Sequence, residues 1–289
     1  MLQIFGCPMH YGVGAKGLIH SLDYLNERYN DLDIHVVPEV TAEETPVSNL
    51  KNFNSVLATC EAIAEYSFHH ILQKNDIPLF IGGDHSAAMG TVSASAAMYE
   101  NTGLIWVDAH PDINMDTTSV TGNIHGIPVS ALLNNISDAA RPLANILKEG
   151  QKIKPDHVAM LGLRDIDPPE AEILEKLNIK YFTYEDIKSL GLDHCLNECI
   201  RHLSRLQNVH VSFDIDGVNP ELLPGVSVPV PDGFTIEEVY TVFNRLLGEL
   251  PVHSLDIVEF NKEFDKDNVT ADFTYELIRH IQKLYAQKL

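Results

Sequence analysis

Short apolar runs rich in β-branched residues alternate with segments of helical spacing along the chain, and this pattern strongly restricts the possible folds. Each run is typical of a buried β-strand. Strands that alternate with helices form a mainly parallel sheet with helices on both faces. The sequence therefore predicts an α/β fold. The eight candidate strands are Leu2–Cys7, Ile34–Val37, Leu79–Ile81, Leu104–Val107, His157–Leu161, Lys180–Phe182, Val209–Phe213 and Val252–Val258.

The segments between these strands carry apolar residues at helical spacing, and the chain closes on a run that predicts an amphipathic helix. No linker-like stretch or internal repeat interrupts the 289 residues, so we expect one domain over residues 1–289. The predicted helices are Leu18–Leu25, Val56–Ile71, Ala171–Leu177, Cys195–Leu206, Ile236–Leu247 and Tyr275–Leu289.

The charge of the chain restricts its partners. Lys and Arg total 20 against 41 Asp and Glu, which gives a formal charge of −21. Such a chain repels nucleic acid and anionic membranes and favours cationic ligands. The sequence has neither an apolar run of the roughly 18 residues that span a bilayer nor a signal-peptide pattern at its start, so we expect a cytoplasmic protein. Its four cysteines form no CxxC pair and are expected to be reduced.

Three polar motifs each follow a predicted strand directly. Gly82-Gly83-Asp84-His85-Ser86 follows the third strand, Asp108-Ala109-His110-Pro111-Asp112 the fourth, and Asp214-Ile215-Asp216 the seventh. Ligands of open α/β sheets bind beyond the carboxyl ends of the strands, where such residues converge. The candidate metal ligands are therefore His85, Asp108, His110, Asp112, Asp214 and Asp216.

Four clustered carboxylates repel one another unless cations compensate their charge, and two divalent ions would do so. Carboxylate and imidazole ligands favour Mn²⁺, although affinity alone does not exclude Zn, Co or Ni. If the segment from Asp108 to Asp112 is extended, its alternating side chains share one side; the same holds for Asp214 and Asp216. One such motif alone is more typical of a turn or helix cap, whereas three at strand ends favour a metal site.

The segments GGDHS, DAHPDIN and SFDIDGVNP resemble the three signatures of the ureohydrolases, a family that includes arginase, agmatinase, guanidinobutyrase and formimidoylglutamase. The resemblance extends from Gly6 to Asn261. It implies a three-layer αβα fold, a homotrimer or homohexamer, and two Mn²⁺ ions per subunit. By position, it assigns His85 and Asp112 to one ion, His110 and Asp216 to the other, and makes Asp108 and Asp214 bridging ligands.

The resemblance also implies a mechanism in which a hydroxide that bridges the ions attacks the guanidinium carbon. His125 matches a histidine that shuttles protons, and Glu259 matches a carboxylate that binds the guanidinium. Together with the ligand Asp112, these are the predicted catalytic residues. Without the resemblance, His125 would be an ordinary histidine in a glycine-rich loop and Glu259 a solvated acid.

The expected substrate is a small guanidino or amidino compound, and most signals favour hydrolysis of L-arginine to L-ornithine and urea. Asp167, with Glu170 nearby, matches an acid that receives the α-ammonium group. Asn114 and Asn123 match amides that contact the α-carboxylate, and Thr121 stands in place of the usual serine.

One stretch contradicts this assignment. Pro224–Pro229 is closer to the formimidoylglutamase pattern, and Val228 replaces a threonine near the expected guanidinium site. Formimidoylglutamase, agmatinase or another guanidino-acid hydrolase therefore remain alternatives. A catalytically silent protein of the same fold is another, because fold does not fix function.

Overall fold

The computed structural model describes residues 2–70, 76–148, 150 and 152–288. All eight predicted strands are present, with ends that differ from the prediction by a few residues. They are β1 (Leu2–Gly6), β2 (His35–Val36), β3 (Ile77–Ile81), β4 (Gly103–Val107), β5 (Val158–Leu163), β6 (Lys180–Thr183), β7 (Val209–Asp214) and β8 (Val252–Val258).

The strands form one sheet in the order β2-β1-β3-β8-β7-β4-β5-β6. Every neighbouring pair is parallel, so the sheet is more regular than the predicted mainly parallel one. All carboxyl ends therefore lie along one edge. The strands that precede the three polar motifs, β3, β4 and β7, lie in the middle of the sheet with β8 between β3 and β7.

Helices cover both faces of the sheet, which confirms the three-layer αβα fold. The apolar side chains of α1 and α6–α9 pack in one core cluster, and those of α2–α5 pack in two clusters on the other face. The helices are α1 (Gly17–Arg28), α2 (Phe53–His70), α3 (Ala88–Met98), α4 (Pro128–Leu132), α5 (Pro168–Leu177), α6 (Tyr184–Leu190), α7 (Leu192–Leu203), α8 (Ile236–Glu249) and α9 (Val269–Ala286).

The predicted helix bounds differ from the observed ones by up to six residues, and two of these differences have a clear physical reason. The helix expected over Cys195–Leu206 is α7, which ends at Leu203; Leu206 lies in the following turn and is buried there, which mimicked helical spacing. The helix expected from Tyr275 begins earlier, because the Asp265 carboxylate accepts hydrogen bonds from the N–H groups of its first turn. The predicted ends Ile71 and Leu289 lie outside the described residues.

The four cysteines are buried and free, in agreement with the expected reduced thiols. Within the described ranges, no helix has both the length and the apolar character that crossing a membrane requires.

Candidate active site

The central strands deliver polar side chains to a single edge of the sheet. Asp108 follows β4 directly, Asp214 is the last residue of β7, and Glu259 follows β8. His85 begins a short 3₁₀ turn beyond β3. Because the strands are parallel neighbours, residues distant in sequence come together here.

The backbone at this edge requires unusual conformations. Gly82 and Gly83 have φ of +81° and +79°, and a Cβ on Gly83 would lie 2.6 Å from the carbonyl oxygen of Cys7. Only glycine fits such a position without strain. Asp112 and Glu259 also have positive φ, +46° and +64°, although both carry side chains. Such conformations persist only where the surroundings enforce them.

A first group of ligand atoms surrounds Nδ1 of His85. This nitrogen lies 2.9 Å from Oδ2 of Asp108 and 3.2 Å from Oδ2 of both Asp112 and Asp214. Neither His85 Nδ1 nor Asp108 Oδ2 has a hydrogen-bond partner within the described part of the chain, although both are fully buried. Buried polar atoms are normally satisfied, so this pair fits a bound cation.

A second group shares Asp108 with the first. His110 Nδ1 lies 3.4 Å from Asp108 Oδ1 and 3.2 Å from Asp216 Oδ2. Potential ligand atoms of His85, Asp108 and Asp112 lie within 4.8 Å of one another, and so do those of Asp108, His110 and Asp216. Either group could therefore hold a metal ion, and Asp108 could contact both.

Crowded negative charge shifts the pKa values of the side chains in this cluster. Burial opposes protonation of His85, but the three carboxylates around it raise its pKa well above the usual value. Burial, with the charges of Asp216 and Asp108, raises the pKa of Asp214 well above its usual range. Burial raises the pKa of Asp216 to about 6, although His110 opposes that shift. Bound cations would neutralise this excess charge.

The side chains converge by turns. The segments are not extended, so the condition under which alternation would place their side chains on one side is not met. Oδ1 of Asp108 accepts from the N–H of His110 at 2.7 Å, and Oδ1 of Asp214 accepts from that of Asp216 at the same distance. The positive φ of Asp112 bends the first segment further. Asp112 consequently faces His85, whereas His110 faces Asp216.

A cavity of about 220 Å³ opens onto this cluster, and most of the predicted site residues line it. His85, Asp108 and Glu259 are not on its wall. Sequence reasoning missed Asp165, whose Oδ2 lies 3.7 Å from His110 Nε2; its place between β5 and Asp167 was the available signal. The lining residues are His110, Asp112, Asn114, Ser119, Val120, Thr121, Asn123, His125, Gly126, Asp165, Asp167, Glu170, Asp214, Asp216 and Val228.

His125 contacts Glu259 beside the cavity. The distance from His125 Nδ1 to Glu259 Oε1 is 3.3 Å, and the same oxygen accepts from the N–H of His85 at 3.0 Å. Burial opposes the charged form of His125, but the hydrogen bond and charge of Glu259 outweigh it and raise the pKa to about 9. A histidine with this pKa carries a proton at neutral pH.

The exposed end of the cavity carries the residues expected to contact the far end of the substrate. Asn114 Nδ2 donates to Asp167 Oδ2 at 3.0 Å, which joins two loops. Thr121 Oγ1 accepts from the N–H of Asn123 at 3.2 Å, and Asn123 Oδ1 accepts from Lys51 Nζ at 3.0 Å. These contacts leave Asp167 exposed at the cavity mouth.

Glu170 is buried, and both of its oxygens are occupied by the backbone. Oε1 accepts from the N–H of Ile113 at 3.1 Å, and Oε2 accepts from that of Asp167 at 3.0 Å, within the capping box of α5. Burial raises its pKa to about 8 despite these bonds. Glu170 thus ties the loop after β4 to the start of α5.

A sequence model described as the arginase family matches residues 2–282 of this chain. The chain belongs to the arginase family. An arginase of Bacillus caldovelox is 34% identical over 302 residues, covering 100% of this chain and 99% of its relative. A solved structure of a Bacillus caldovelox arginase matches with a TM-score of 0.87, and the match covers 97% of each chain. An arginase of Bacillus subtilis (strain 168) is 32% identical over 290 residues, covering 97% of each.

Membership of the arginase family makes this chain a metal-dependent hydrolase of C–N bonds in amidine or guanidino compounds. The fold also resembles a formimidoylglutamase of Bacillus subtilis, with a TM-score of 0.76 at 19% identity, covering 98% of this chain and 86% of the other. A likeness this distant concerns the fold alone.

Proposed function

We propose that this chain hydrolyses L-arginine to L-ornithine and urea with two Mn²⁺ ions. One observation carries the proposal: a single cavity joins two ligand groups that share Asp108 to a mouth where the exposed acids Asp165 and Asp167 lie. Relatives named arginase that match 97% or more of the chain support the same substrate.

The residues present fit two ions. His85 and Asp112 would hold one, His110 and Asp216 the other, and Asp108 and Asp214 would bridge them. Their oxygen and imidazole ligands suit Mn²⁺. When bound, two divalent ions would lower the pKa of water and so supply the nucleophile near neutral pH.

The protein's own groups bind the guanidinium and move a proton. We assign Glu259 to the guanidinium by its match to the family's carboxylate. It lies behind His125, which lines the cavity, and its buried Oε2 has no hydrogen-bond partner among the described residues. His125, protonated at neutral pH, gives its proton to the leaving amine nitrogen. Its contact with Glu259 keeps the imidazole beside the cavity. Asp112 would contribute to catalysis as a ligand of the first metal ion.

The charge of the cavity favours arginine over N-formimino-glutamate. Asp165 and Asp167 lie at the mouth, where the metal ions would not neutralise them, and the residues that line the wall include neither Lys nor Arg. Lys51, which donates to Asn123 beside the mouth, offsets one of these two negative charges at most. Arginine presents a guanidinium and an ammonium group against one carboxylate, whereas N-formimino-glutamate presents one amidinium group against two carboxylates. An acidic mouth attracts the first and repels the second.

One observation favours formimidoylglutamase as a second candidate. Val228 lies on the cavity wall and offers no hydroxyl where arginases commonly carry a threonine. Agmatinase is a weaker alternative, because Asn114, Thr121 and Asn123 provide neutral groups for an α-carboxylate that agmatine lacks.

The deciding experiment compares kcat/KM for L-arginine, agmatine and N-formimino-glutamate on Mn²⁺-loaded protein, with urea and formamide measured as products. We expect arginine to exceed agmatine by about 10²–10³, less than the largest discrimination by hydrogen-bonding sites, because water can replace some contacts at an open mouth. Equal rates for arginine and agmatine would contradict the arginase assignment. Formamide without urea would establish the second candidate, and no turnover of any of them would indicate a silent protein.

We further propose that residues 1–289 act as one catalytic domain, because a single sheet takes strands from Leu2 to Val258. The homotrimer or homohexamer, the cytoplasmic location, and the expectation of no nucleic-acid or membrane partner stay predictions.

A further inference from the structure

A chain of buried polar side chains leads from His85 into the interior of the sheet. It runs through Ser212, Asp256, His210 and Ser254, which lie on the neighbouring strands β7 and β8 and are at most 1% exposed. Strand interiors in such sheets are normally apolar. Polar groups buried there are costly unless each finds a partner, so their presence calls for a reason.

The hydrogen bonds of Ser212 fix the form of His85. Ser212 Oγ donates its one hydrogen to Asp256 Oδ2 at 3.2 Å. It can therefore only accept from His85 Nε2, which lies 2.9 Å away. In the neutral ring that metal binding requires, the hydrogen is then on Nε2, and the lone pair of Nδ1 faces the first group of ligand atoms. This is the tautomer that can bind a metal through Nδ1.

Asp256 sets the direction of the Ser212 hydroxyl. Its Oδ2 also accepts from Thr91 Oγ1 and from His210 Nε2, both at 2.8 Å. At the other side of the His210 ring, Nδ1 lies 2.7 Å from Ser254 Oγ, which lies 3.0 Å from Ser95 Oγ. Oδ2 of Asp256 can only accept, so the hydrogen of Ser212 points at Asp256 and away from His85. Oδ1 of Asp256 has no hydrogen-bond partner among the described residues.

We infer that Asp256 is a positioning residue for the metal centre, which acts through Ser212 to hold His85 in its ligating tautomer. The inference rests on the proposed metal centre. It assigns to Asp256 a role beyond joining strands, since a purely structural carboxylate would affect the stability of the fold and leave metal affinity unchanged.

The test measures the Mn²⁺ affinity of Asp256→Asn by competition with a chelator. The new amide can donate to Ser212, which frees the hydroxyl to donate to His85 Nε2 and disfavours the ligating tautomer. Loss of such supporting bonds typically lowers metal affinity by about 10–100-fold, and we expect a loss in that range. Ser254→Ala is the matched control, because Ser254 belongs to the same buried chain on the far side of His210. It should lower thermal stability with Mn²⁺ affinity unchanged.

A double-mutant cycle tests the route through Ser212. Ser212→Ala should also lose Mn²⁺ affinity, Ser212→Thr should retain most of it, and S212A/D256N should lose no more than S212A alone. Thermal unfolding of each metal-free variant checks that it is folded. The inference is overturned if D256N binds Mn²⁺ as well as S254A does, if the two losses add, or, where D256N does not fold, if S212A binds like S212T. A wild-type protein that binds no Mn²⁺ would instead overturn the proposed function on which the inference rests.

Discussion

At the scale of single residues, the most specific prediction concerns the substitution of His125. His125→Asn removes a group that we propose to donate a proton and to bind no metal, so turnover should fall while metal content stays the same. General acid–base groups typically contribute about 10²–10⁴-fold, and kcat should decrease within this range. The measurement is kcat on Mn²⁺-loaded protein, paired with elemental analysis of the same sample.

Two results would exclude His125 from the chemistry. One is a variant with wild-type kcat and an unchanged pH profile. The other is loss of bound metal in proportion to activity, which would place the effect of the substitution at the metal site.

The residues that the sequence identified share one property: they directly follow a buried strand. His85, Asp108 and Asp214 could be grouped because parallel strands end at a common edge. The sequence did not identify the buried polar residues Ser212, His210 and Asp256, because they lie inside strands that were recognised as apolar runs. The polar letters within VHVSFD and VHSLDIV were the signal, but only the three-dimensional pairing of β7 with β8 shows which of them meet.

At the scale of elements, the turn after β3 depends on glycine. Gly83→Ala should destabilise the protein by more than about 1 kcal/mol, because an added Cβ meets the fixed backbone of Cys7 and φ is positive. Gly248→Ala is the control: Gly248 lies in α8 with nothing within 4 Å of an added Cβ, so it should gain about 0.5–1 kcal/mol. Denaturant unfolding of metal-free protein measures both, and equal effects would contradict the role given to the turn.

The start of α5 should make stability depend on pH. Glu170 has a pKa of about 8 in the folded protein against an ordinary value of 4.5. Between these values the unfolded chain loses a proton that the folded protein keeps, so the free energy of unfolding decreases as pH rises. The change should reach a few kcal/mol, since one pKa unit corresponds to about 1.4 kcal/mol.

Glu170→Gln isolates this contribution, because its side chain is neutral at every pH used. Unfolding of the metal-free protein at pH 5 and pH 8 should show a larger loss of stability in the wild type than in E170Q. Parallel pH dependence of the two proteins would mean that Glu170 is ionised in the fold.

The sequence predicted those elements whose apolar pattern has a single structural cause. It failed for elements in which burial hid or mimicked the pattern of an amphipathic helix. The strands were found because a doubly covered parallel sheet makes them uniformly apolar. The helix α3 was not among the predicted segments; most of it is buried on all sides and rich in small residues, so it shows no polar stripe. Leu206 extended the predicted α7 because a buried residue in a turn matches helical spacing by chance.

At the scale of the whole molecule, the chain carries a large net negative charge, and its site needs bound positive charge. The formal charge of −21 is compatible with a small cationic substrate and with bound divalent ions. Family, fold and reaction class followed from motifs spread along the chain. The substrate did not, because it depends on loop residues such as Val228 and Asp167, whose effect is a matter of position at the cavity mouth.

Metal content shows whether two metal ions share Asp108. Elemental analysis of active wild-type protein should give two ions per chain. Asp108 belongs to both ligand groups, so Asp108→Ala should lose both ions, whereas Asp112→Ala and Asp216→Ala, each in one group, should lose one ion more readily than the other. Fully active wild-type protein with one ion or none would exclude a pair of metal ions that shares Asp108.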